Sequence, residues 1–270
     1  MPKKFFLSAD IEGTAGIAHW NETDKAKGAG DGYPHFAAQM TREVAAACEA
    51  AIRMGAEDIL VKDAHDSARN IDPSKLPELV RIHRGWAQDL LVMMSGLDET
   101  FDGVIFTGYH SPAYTNANPL AHTMTTILHK ITLNGELLSE LHINCLIASM
   151  LGVPVLCATG DEGLMHWLNE KNPNIETVPV SSGRSNASIS IHPNLAVRRI
   201  GEAVERACAK DPRTLMFPMP DHYKIEICYK QHHIAKEMSL FPGAYPIDAH
   251  TIGFSSDDYQ EVLRLMLFVI

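Results

Sequence analysis

Two carboxylates lie two residues apart directly after the first apolar stretch of the chain. The segment Phe5-Phe6-Leu7-Ser8-Ala9-Asp10-Ile11-Glu12-Gly13 begins with three apolar residues, which is typical of a buried strand. Residues i and i+2 of a strand lie on the same face, so Asp10 and Glu12 are expected to face the same way. Two such carboxylates repel each other unless a cation lies between them or one of them holds a proton. The pair indicates a metal site, with two solvated acids at a strand end as the simpler alternative.

Histidines follow two later predicted strands in a similar way. Ile59-Leu60-Val61 runs into a polar stretch that contains His65, and Val104-Ile105-Phe106-Thr107 is followed closely by His110. In open α/β sheets, ligands bind outside the carboxyl ends of the strands. Carboxylates and imidazoles without thiolates are ligand types that suit zinc or manganese. Any one of the 14 histidines is a surface or core residue by default, but the coincidence of three strand ends selects these two.

Several other catalytic templates are missing from the sequence. The chain contains no H-E-x-x-H motif, which excludes the common zinc-protease helix. It contains no G-x-S-x-G motif, which argues against an ordinary α/β-hydrolase. No G-x-G-x-x-G motif follows the first strand, which argues against a dinucleotide-binding domain.

Strands and helices alternate over the first two-thirds of the chain. An Ala-rich helix is predicted from Pro34 to Met54, and a second from Glu140 to Leu151 with Ser139 as its cap. This alternation predicts an α/β fold with a mostly parallel sheet flanked by helices, and a smaller β-rich part from Lys224 to Phe254. We therefore predict an α/β metal-binding catalytic domain over residues 1–190. Residues 191–270 are predicted to form an α+β C-terminal part that serves oligomerisation and completes the substrate site.

Three local predictions concern the connections. The Gly-rich polar stretch from Thr14 to Gly32 is typical of a mobile loop. Leu90 to Leu97 resembles a short helix. Asn134-Gly135 is a typical turn of a β-hairpin.

Composition restricts the class of protein and its partners. The chain has 270 residues, 46% of them apolar, and a formal net charge of −10, which disfavours binding to nucleic acid or an anionic membrane. The five cysteines are widely spaced and form no C-x-x-C motif, so we expect buried thiols in a reducing compartment. No apolar run approaches the length of a signal peptide or a membrane span. We expect a cytoplasmic protein.

An ordered series of motifs resembles the zinc-dependent D-aminopeptidases of the DppA type. The motifs are Ser8-Ala9-Asp10-Ile11-Glu12-Gly13, Asp63-Ala64-His65-Asp66, Gly108-Tyr109-His110, Ala121-His122-Thr123-Met124, Ser139-Glu140-Leu141-His142-Ile143-Asn144 and Val153-Pro154-Val155-Leu156. Weaker similarity extends to Gly183-Arg184-Ser185 and Phe241-Pro242-Gly243, so the resemblance covers nearly the whole chain.

This resemblance implies a metalloprotease that holds two Zn²⁺ ions per subunit. The family's metal ligands match five residues of this chain: Asp10, Glu12, His65, His110 and Glu140. Its catalytic histidine matches His122, which we expect to shuttle a proton or stabilise the oxyanion. The family also implies a ring-like homodecamer with enclosed active sites, acting on short peptides with an N-terminal D-residue. We expect Asp10 to bridge the two ions, because it lies at the strand end beside Glu12.

The sequence departs from the family near the fifth ligand. Where the family has Gly-Glu-Leu-Gly, this chain has Ser139-Glu140-Leu141-His142, and Glu136 offers a second glutamate nearby. The spacing to Val153-Pro154 favours Glu140, while Glu136 stays open. The additional His142 is a candidate for altering specificity.

Two other classes of function remain open at this stage. One is a metal-dependent amidase or deacylase that uses the same site on a non-peptide substrate. The other is a non-catalytic metal-binding ring protein. The presence of His122 argues against the second class, because a storage protein needs ligands but no proton shuttle.

Overall fold

The computed structural model describes residues 3–26 and 32–270. The strands are β1 (Lys3–Ala9), β2 (Ala56–Asp63), β3 (Val80–His83), β4 (Gly103–Tyr109), β5 (Leu128–Leu133), β6 (Glu136–Leu137), β7 (Val155–Asp161), β8 (Glu176–Arg184), β9 (Ala187–Ser190), β10 (Tyr223–Tyr229), β11 (Tyr245–Pro246) and β12 (Thr251–Ser256). The α-helices are α1 (Tyr33–Arg53), α2 (Glu140–Met150), α3 (Glu162–Lys171), α4 (Pro193–Cys208), α5 (His232–Met238) and α6 (Tyr259–Val269).

A seven-stranded sheet forms the larger layer, in the order β3-β2-β1-β4-β7-β8-β9. Its strands pair in parallel except for the last pair, β8 with β9. The helices α1 and α4 pack against each other and against this sheet, and α2 and α3 also contact it. The α/β fold with a mostly parallel, helix-flanked sheet is confirmed.

Strand β1 lies at the centre of this sheet, between β2 and β4. Phe5, Phe6 and Leu7 are all buried, as expected for a strand whose two faces are both covered. The chain leaves β1 toward β2 on one side and later returns to β4 on the other, which makes the carboxyl end of β1 a topological switch point. This is where such sheets bind ligands, and it is where Asp10, Glu12 and His110 lie.

A separate antiparallel sheet of five strands has the order β11-β12-β10-β5-β6. The predicted turn between β5 and β6 is confirmed, with φ of 52° at Asn134 and 85° at Gly135. Helix α6 contacts β10 and β12, so the apolar C-terminal helix covers part of this sheet.

Two local predictions need correction. The short helix predicted over Leu90–Leu97 is reduced to a 3-10 turn at Val92–Met94, because Val92 has φ of 46° and cannot continue a helix. The side chain of Asp89 fixes this turn by accepting from the backbone N–H of Leu91 and Val92. The C-terminal β-rich part also contains a helix that was not predicted, α5.

Part of the predicted loop from Thr14 to Gly32 is ordered locally. A 3-10 turn forms at Trp20–Glu22, where Glu22 accepts from the backbone N–H of Ala18 and His19. Residues 27–31 lie outside the described residues, and the prediction of a mobile loop falls partly on them.

The division of the chain into two parts at residue 190 stays a prediction. Several contacts between helices and strands cross this boundary. Helix α4 packs on α1 and on β8, within the first layer. Strands β5 and β6 precede the boundary but belong to the sheet of β10 and β12. None of the helices in the described ranges is long and apolar enough to cross a membrane.

Candidate active site

The acidic loop after β1 is held against the end of β4. The backbone N–H of Asp10 donates to the carbonyl of Thr107, and that of Gly13 donates to the carbonyl of Gly108, both at 2.8 Å. A Cβ atom at Gly13 would lie 1.8 Å from the carbonyl oxygen of Tyr109, so this close approach requires glycine. The loop thereby places the carboxylates of Asp10 and Glu12 inside the protein, each 2% exposed.

His65 follows β2 and points into the same space. Its Nε2–H donates to the carbonyl of Thr23 at 2.9 Å, which turns Nδ1 toward the acids. Nδ1 lies 3.2 Å from Oδ1 of Asp10 and 3.1 Å from Oε2 of Glu12. The loop is fixed by Asn70, whose side-chain amide donates to the carbonyl of His65 at 2.7 Å. A backbone carbonyl that orients a histidine in this way is a common feature of metal sites.

His110 and Glu140 approach from the other side of Asp10. The Nδ1–H of His110 donates to the carbonyl of Ser111 at 2.9 Å, so Nε2 faces the site. This Nε2 lies 3.5 Å from Oδ2 of Asp10 and 3.6 Å from Oε1 of Glu140. Glu140 is the first residue of α2, whose positive N-terminal end favours a carboxylate.

His122 lies in the loop before β5 and stacks on His110. The ring centroids are 4.4 Å apart with an interplanar angle of 8°. The Nδ1–H of His122 donates to the carbonyl of Leu120 at 2.9 Å, and Nε2 lies 3.6 Å from Oε1 of Glu140. Burial and the neighbouring His110 lower the pKa of His122, which favours a neutral ring with a free lone pair on Nε2.

The donor atoms form two groups that share one residue. Asp10, Glu12 and His65 form one group and Asp10, His110 and Glu140 the other, with the ligand atoms of each group within 4.8 Å of one another. A third combination of Glu12, His110 and His122 meets the same distance criterion. Each group resembles the ligand set of one metal ion, and Asp10 supplies an oxygen to both.

Several buried polar atoms of these groups lack a hydrogen-bond partner. They are Oδ2 of Asp10, both carboxylate oxygens of Glu12 and Nε2 of His110. Buried polar groups almost always have a hydrogen-bond partner, so four such atoms among the donor groups need an explanation. Divalent cations between the two groups would satisfy all four, and the residues therefore fit a metal pair.

The charges of the cluster point to the same conclusion. Burial and the nearby charge of Glu12 raise the pKa of Asp10 well above its usual range. Burial opposes protonation of His65, but the charges of Glu12 and Asp10 outweigh it and raise the pKa of that ring. The pKa of His110 is raised in the same way, mainly by Glu140. Protons held among buried acids are what bound cations would replace.

Glu136 and His142, whose roles the sequence left undecided, lie outside the donor groups. Glu136 accepts from Nε1 of Trp167 and Nζ of Lys171, both at 2.7 Å, and belongs to none of the donor groups. The ring of His142 packs 4.7 Å from that of Trp167 and does not line the site cavity. Burial lowers its pKa to about 4. The geometry favours Glu140 over Glu136 as a donor and gives His142 a packing role.

Sequence reasoning missed two supporting residues. Asp161 caps α3 as its sequence indicates, but it also accepts from the backbone N–H of Ser111 at 2.6 Å and from its hydroxyl. Asn118 donates to the carbonyl of Glu12 at 3.3 Å and so joins the two loops of the site. Both contacts link residues far apart in sequence, and no local pattern indicates them.

The donor groups open into a cavity of about 670 Å³. This volume is in the range that small-molecule ligands occupy. Trp20, Trp86, Met93 and Thr126 contribute to its wall, together with His122. The cavity can admit a short peptide but not a folded chain.

Comparisons with known proteins agree with the resemblance seen in the sequence. A family profile described as D-aminopeptidase matches residues 3–268. A D-aminopeptidase of Bacillus subtilis (strain 168) is 27% identical over 266 residues, which cover 98% of this chain and 95% of that protein. The solved structure of the Zn-dependent D-aminopeptidase DppA from Bacillus subtilis, described as a self-compartmentalizing protease, matches with a TM-score of 0.89 and 27% identity. That match covers 98% of this chain and 96% of the other. Because the family match spans nearly the whole sequence, the chain belongs to the D-aminopeptidase family.

Proposed function

We propose that this protein is a two-zinc aminopeptidase that removes a D-amino acid from the N-terminus of short peptides. The observation that carries the proposal is the pair of donor groups that share Asp10 and leave buried atoms without partners. The zinc dependence of the similar Bacillus subtilis enzyme supports the choice of metal. The ligand types, carboxylate and imidazole without thiolate, suit zinc at a catalytic site.

The proposed ligands are the five residues predicted from the sequence. Glu12 and His65 would hold one ion and His110 and Glu140 the other, with Asp10 bridging them. The backbone N–H of Met124 donates to Oε1 of Glu140 at 2.7 Å, which fixes that carboxylate. Thr23 and Ser111 orient the two histidines through their carbonyl groups.

His122 is the proposed acid–base residue. Two zinc ions, when bound, lower the pKa of a water molecule toward neutrality and polarise the peptide carbonyl. His122 has a lowered pKa and lines the cavity, with Nε2 3.6 Å from Oε1 of Glu140, so it can accept a proton there and return it to the leaving amine. The stacked ring of His110 and the edge of Trp20, 5.2 Å away, hold its orientation.

Hydrolysis of matched substrates tests this function. The zinc-loaded protein is assayed with dipeptides that begin with D-Ala or L-Ala, and with an N-acetyl D-Ala dipeptide. We expect hydrolysis of the free D-Ala dipeptide and little of the other two. Preferential hydrolysis of the N-acetyl compound would show that the protein is a deacylase and not an aminopeptidase. No hydrolysis of any amide by the zinc-loaded protein would indicate a non-catalytic metal-binding protein.

We further propose a closed homo-oligomer, a decamer, formed in part by the C-terminal third. The similar Bacillus subtilis enzyme is described as self-compartmentalizing. Within the apolar C-terminal helix of this chain, Leu265 and Val269 are buried but Phe268 is 67% exposed, beside the partly exposed ring of Phe241. We assign this pair of apolar rings to the subunit contact, because contiguous exposed apolar surface marks interaction sites.

Light scattering at micromolar concentration tests the assembly. We expect the mass of ten chains, and intact folded proteins should resist cleavage while dipeptides and tripeptides are hydrolysed. A monomer mass would refute the ring. The cytoplasmic location expected from the sequence stays a prediction.

A further inference from the structure

A second, apolar cavity of about 210 Å³ adjoins the metal-site cavity. The two cavities share three wall residues: Val92, Met93 and Met124. Beyond them, the second cavity is enclosed by side chains of α2, α6 and the loop before the 3-10 turn, among them Ile143, Ile147, Leu263, Leu267, Leu90 and Leu91. We name this smaller apolar cavity the chamber; it borders the larger cavity, and none of the proposed zinc ligands lines it.

The shared wall is linked directly to the proposed metal site. Met124 donates its backbone N–H to Oε1 of Glu140, so the wall lies one hydrogen bond from a proposed ligand. Met93 is buried and packs beside the amide of Asn144, which lies 3.5 Å from its sulfur. A substrate held at the metal site is thus adjacent to the wall that the two cavities share.

Two residues of the shared wall have unusual backbone conformations. Val92 has φ of 46° and Met124 has φ of 61°, in the left-handed region that side-chain-bearing residues rarely adopt. For the β-branched Val92 this conformation is especially unfavourable. Such strain persists where the surrounding structure fixes it, and it is concentrated at ligand sites.

We propose that this chamber opens to the metal-site cavity, binds the side chain of the first residue of the substrate, and selects D-residues with large apolar side chains. This inference rests on the proposed function. The chamber has room for one side chain but not for a continuing peptide, while the larger cavity has room for the rest of the substrate. Its volume far exceeds a methyl group, so D-Ala would leave it mostly empty. An apolar pocket discriminates between side chains of different size by roughly 10- to 200-fold.

Amino acid amides test the chamber, because they carry only the first side chain. We expect kcat/KM of the wild-type protein to be at least about 10-fold higher for D-leucinamide than for D-alaninamide. Leu267 is only partly buried at the rim of the chamber, so Leu267→Trp should fill the chamber without disturbing the core. That variant should lower the ratio of the two kcat/KM values by about 10-fold or more.

Arg264→Trp is the matched control, since Arg264 is an exposed residue of the same helix, α6, and lines neither cavity. It should leave the ratio of D-leucinamide to D-alaninamide unchanged. An unchanged ratio in Leu267→Trp would overturn the proposal. The proposal would also be overturned if Leu267→Trp changed only the preference for the second residue of the substrate, measured with dipeptides that begin with D-Ala.

Direct binding separates this proposal from the proposed function. If the zinc-loaded wild-type protein hydrolyses neither amide nor a D-Ala dipeptide, the proposed function fails. Calorimetric titration of the zinc-loaded protein with D-leucinamide and D-alaninamide then measures binding without turnover. A preference for D-leucinamide that Leu267→Trp abolishes would then still support the chamber, and equal binding of both amides would overturn it.

Discussion

Glu43 lies in the middle of α1 as a residue only 1% exposed, beside the loop that carries Glu12. One oxygen accepts from the backbone N–H of Ala15 at 3.1 Å and from the amide of Gln39 at 2.9 Å, and the other has no partner. Burial raises the pKa of Glu43 to about 7, from the ordinary value of 4.5. We predict that this carboxyl group makes the protein less stable as the pH rises.

The sign and size of the effect follow from linkage. Because the folded pKa is raised, the folded protein holds this proton more tightly than the unfolded chain does. Its contribution to stability is fully present below pH 4.5 and is lost as the pH rises through about 7. The difference in pKa corresponds to about 3 kcal/mol in total, of which about 2 kcal/mol is lost between about pH 5.5 and pH 8.

Glu43→Gln removes the titration and keeps a side chain of the same shape that accepts the two hydrogen bonds. We expect the free energy of unfolding of the wild type, relative to that of this variant, to fall by about 2 kcal/mol between about pH 5.5 and pH 8. Urea unfolding at fixed subunit concentration measures it. The exposed Glu49 on the same helix provides the control variant, Glu49→Gln, which should show no such change. Equal pH dependence in the wild type and Glu43→Gln would refute the reasoning.

Further predictions concern the site itself. His122→Ala should keep the fold and the metal but lower kcat by roughly 10²–10⁴-fold; an unchanged kcat in the metal-loaded variant would remove His122 from the mechanism. Glu140→Gln should lose zinc, as measured by elemental analysis, whereas Glu136→Gln should keep it, because Glu136 pairs with a lysine away from the donor groups; the reverse order would reassign the fifth ligand. Gly13→Ala should lower the free energy of unfolding by about 1–3 kcal/mol and weaken zinc binding, because its methyl group meets the carbonyl of Tyr109; wild-type stability and zinc content would contradict this.

The sequence predicts the sheet and the convergence of its strand ends because both follow from local patterns. Buried strands such as β1 and β4 are continuous apolar runs, and parallel pairing brings their carboxyl ends to one edge. The placement of Asp10, Glu12 and His110 follows from that rule alone. The start of α2 is also predictable, because Ser139 is a typical N-cap residue. It places Glu140 in the first turn of that helix.

The remaining features depend on contacts between distant residues. The pairing of β5 with β10 joins segments about a third of the chain apart, and the amino-acid pattern does not specify the partner. The left-handed conformation of Val92 is contrary to the preference of valine and arises from the surrounding contacts. The carbonyl of Thr23 orients His65 from an irregular loop, where no periodic pattern exists. Tertiary structure therefore determines the supporting contacts of the site.

The zinc content of the active protein tests the central claim most directly. The protein is stripped with a chelator, reloaded with increasing amounts of zinc, separated from free metal, and assayed with a D-Ala dipeptide alongside elemental analysis. The two donor groups that share Asp10 predict saturation at two zinc ions per chain, with no activity in the stripped protein. Full activity in protein that contains no bound metal would contradict the account.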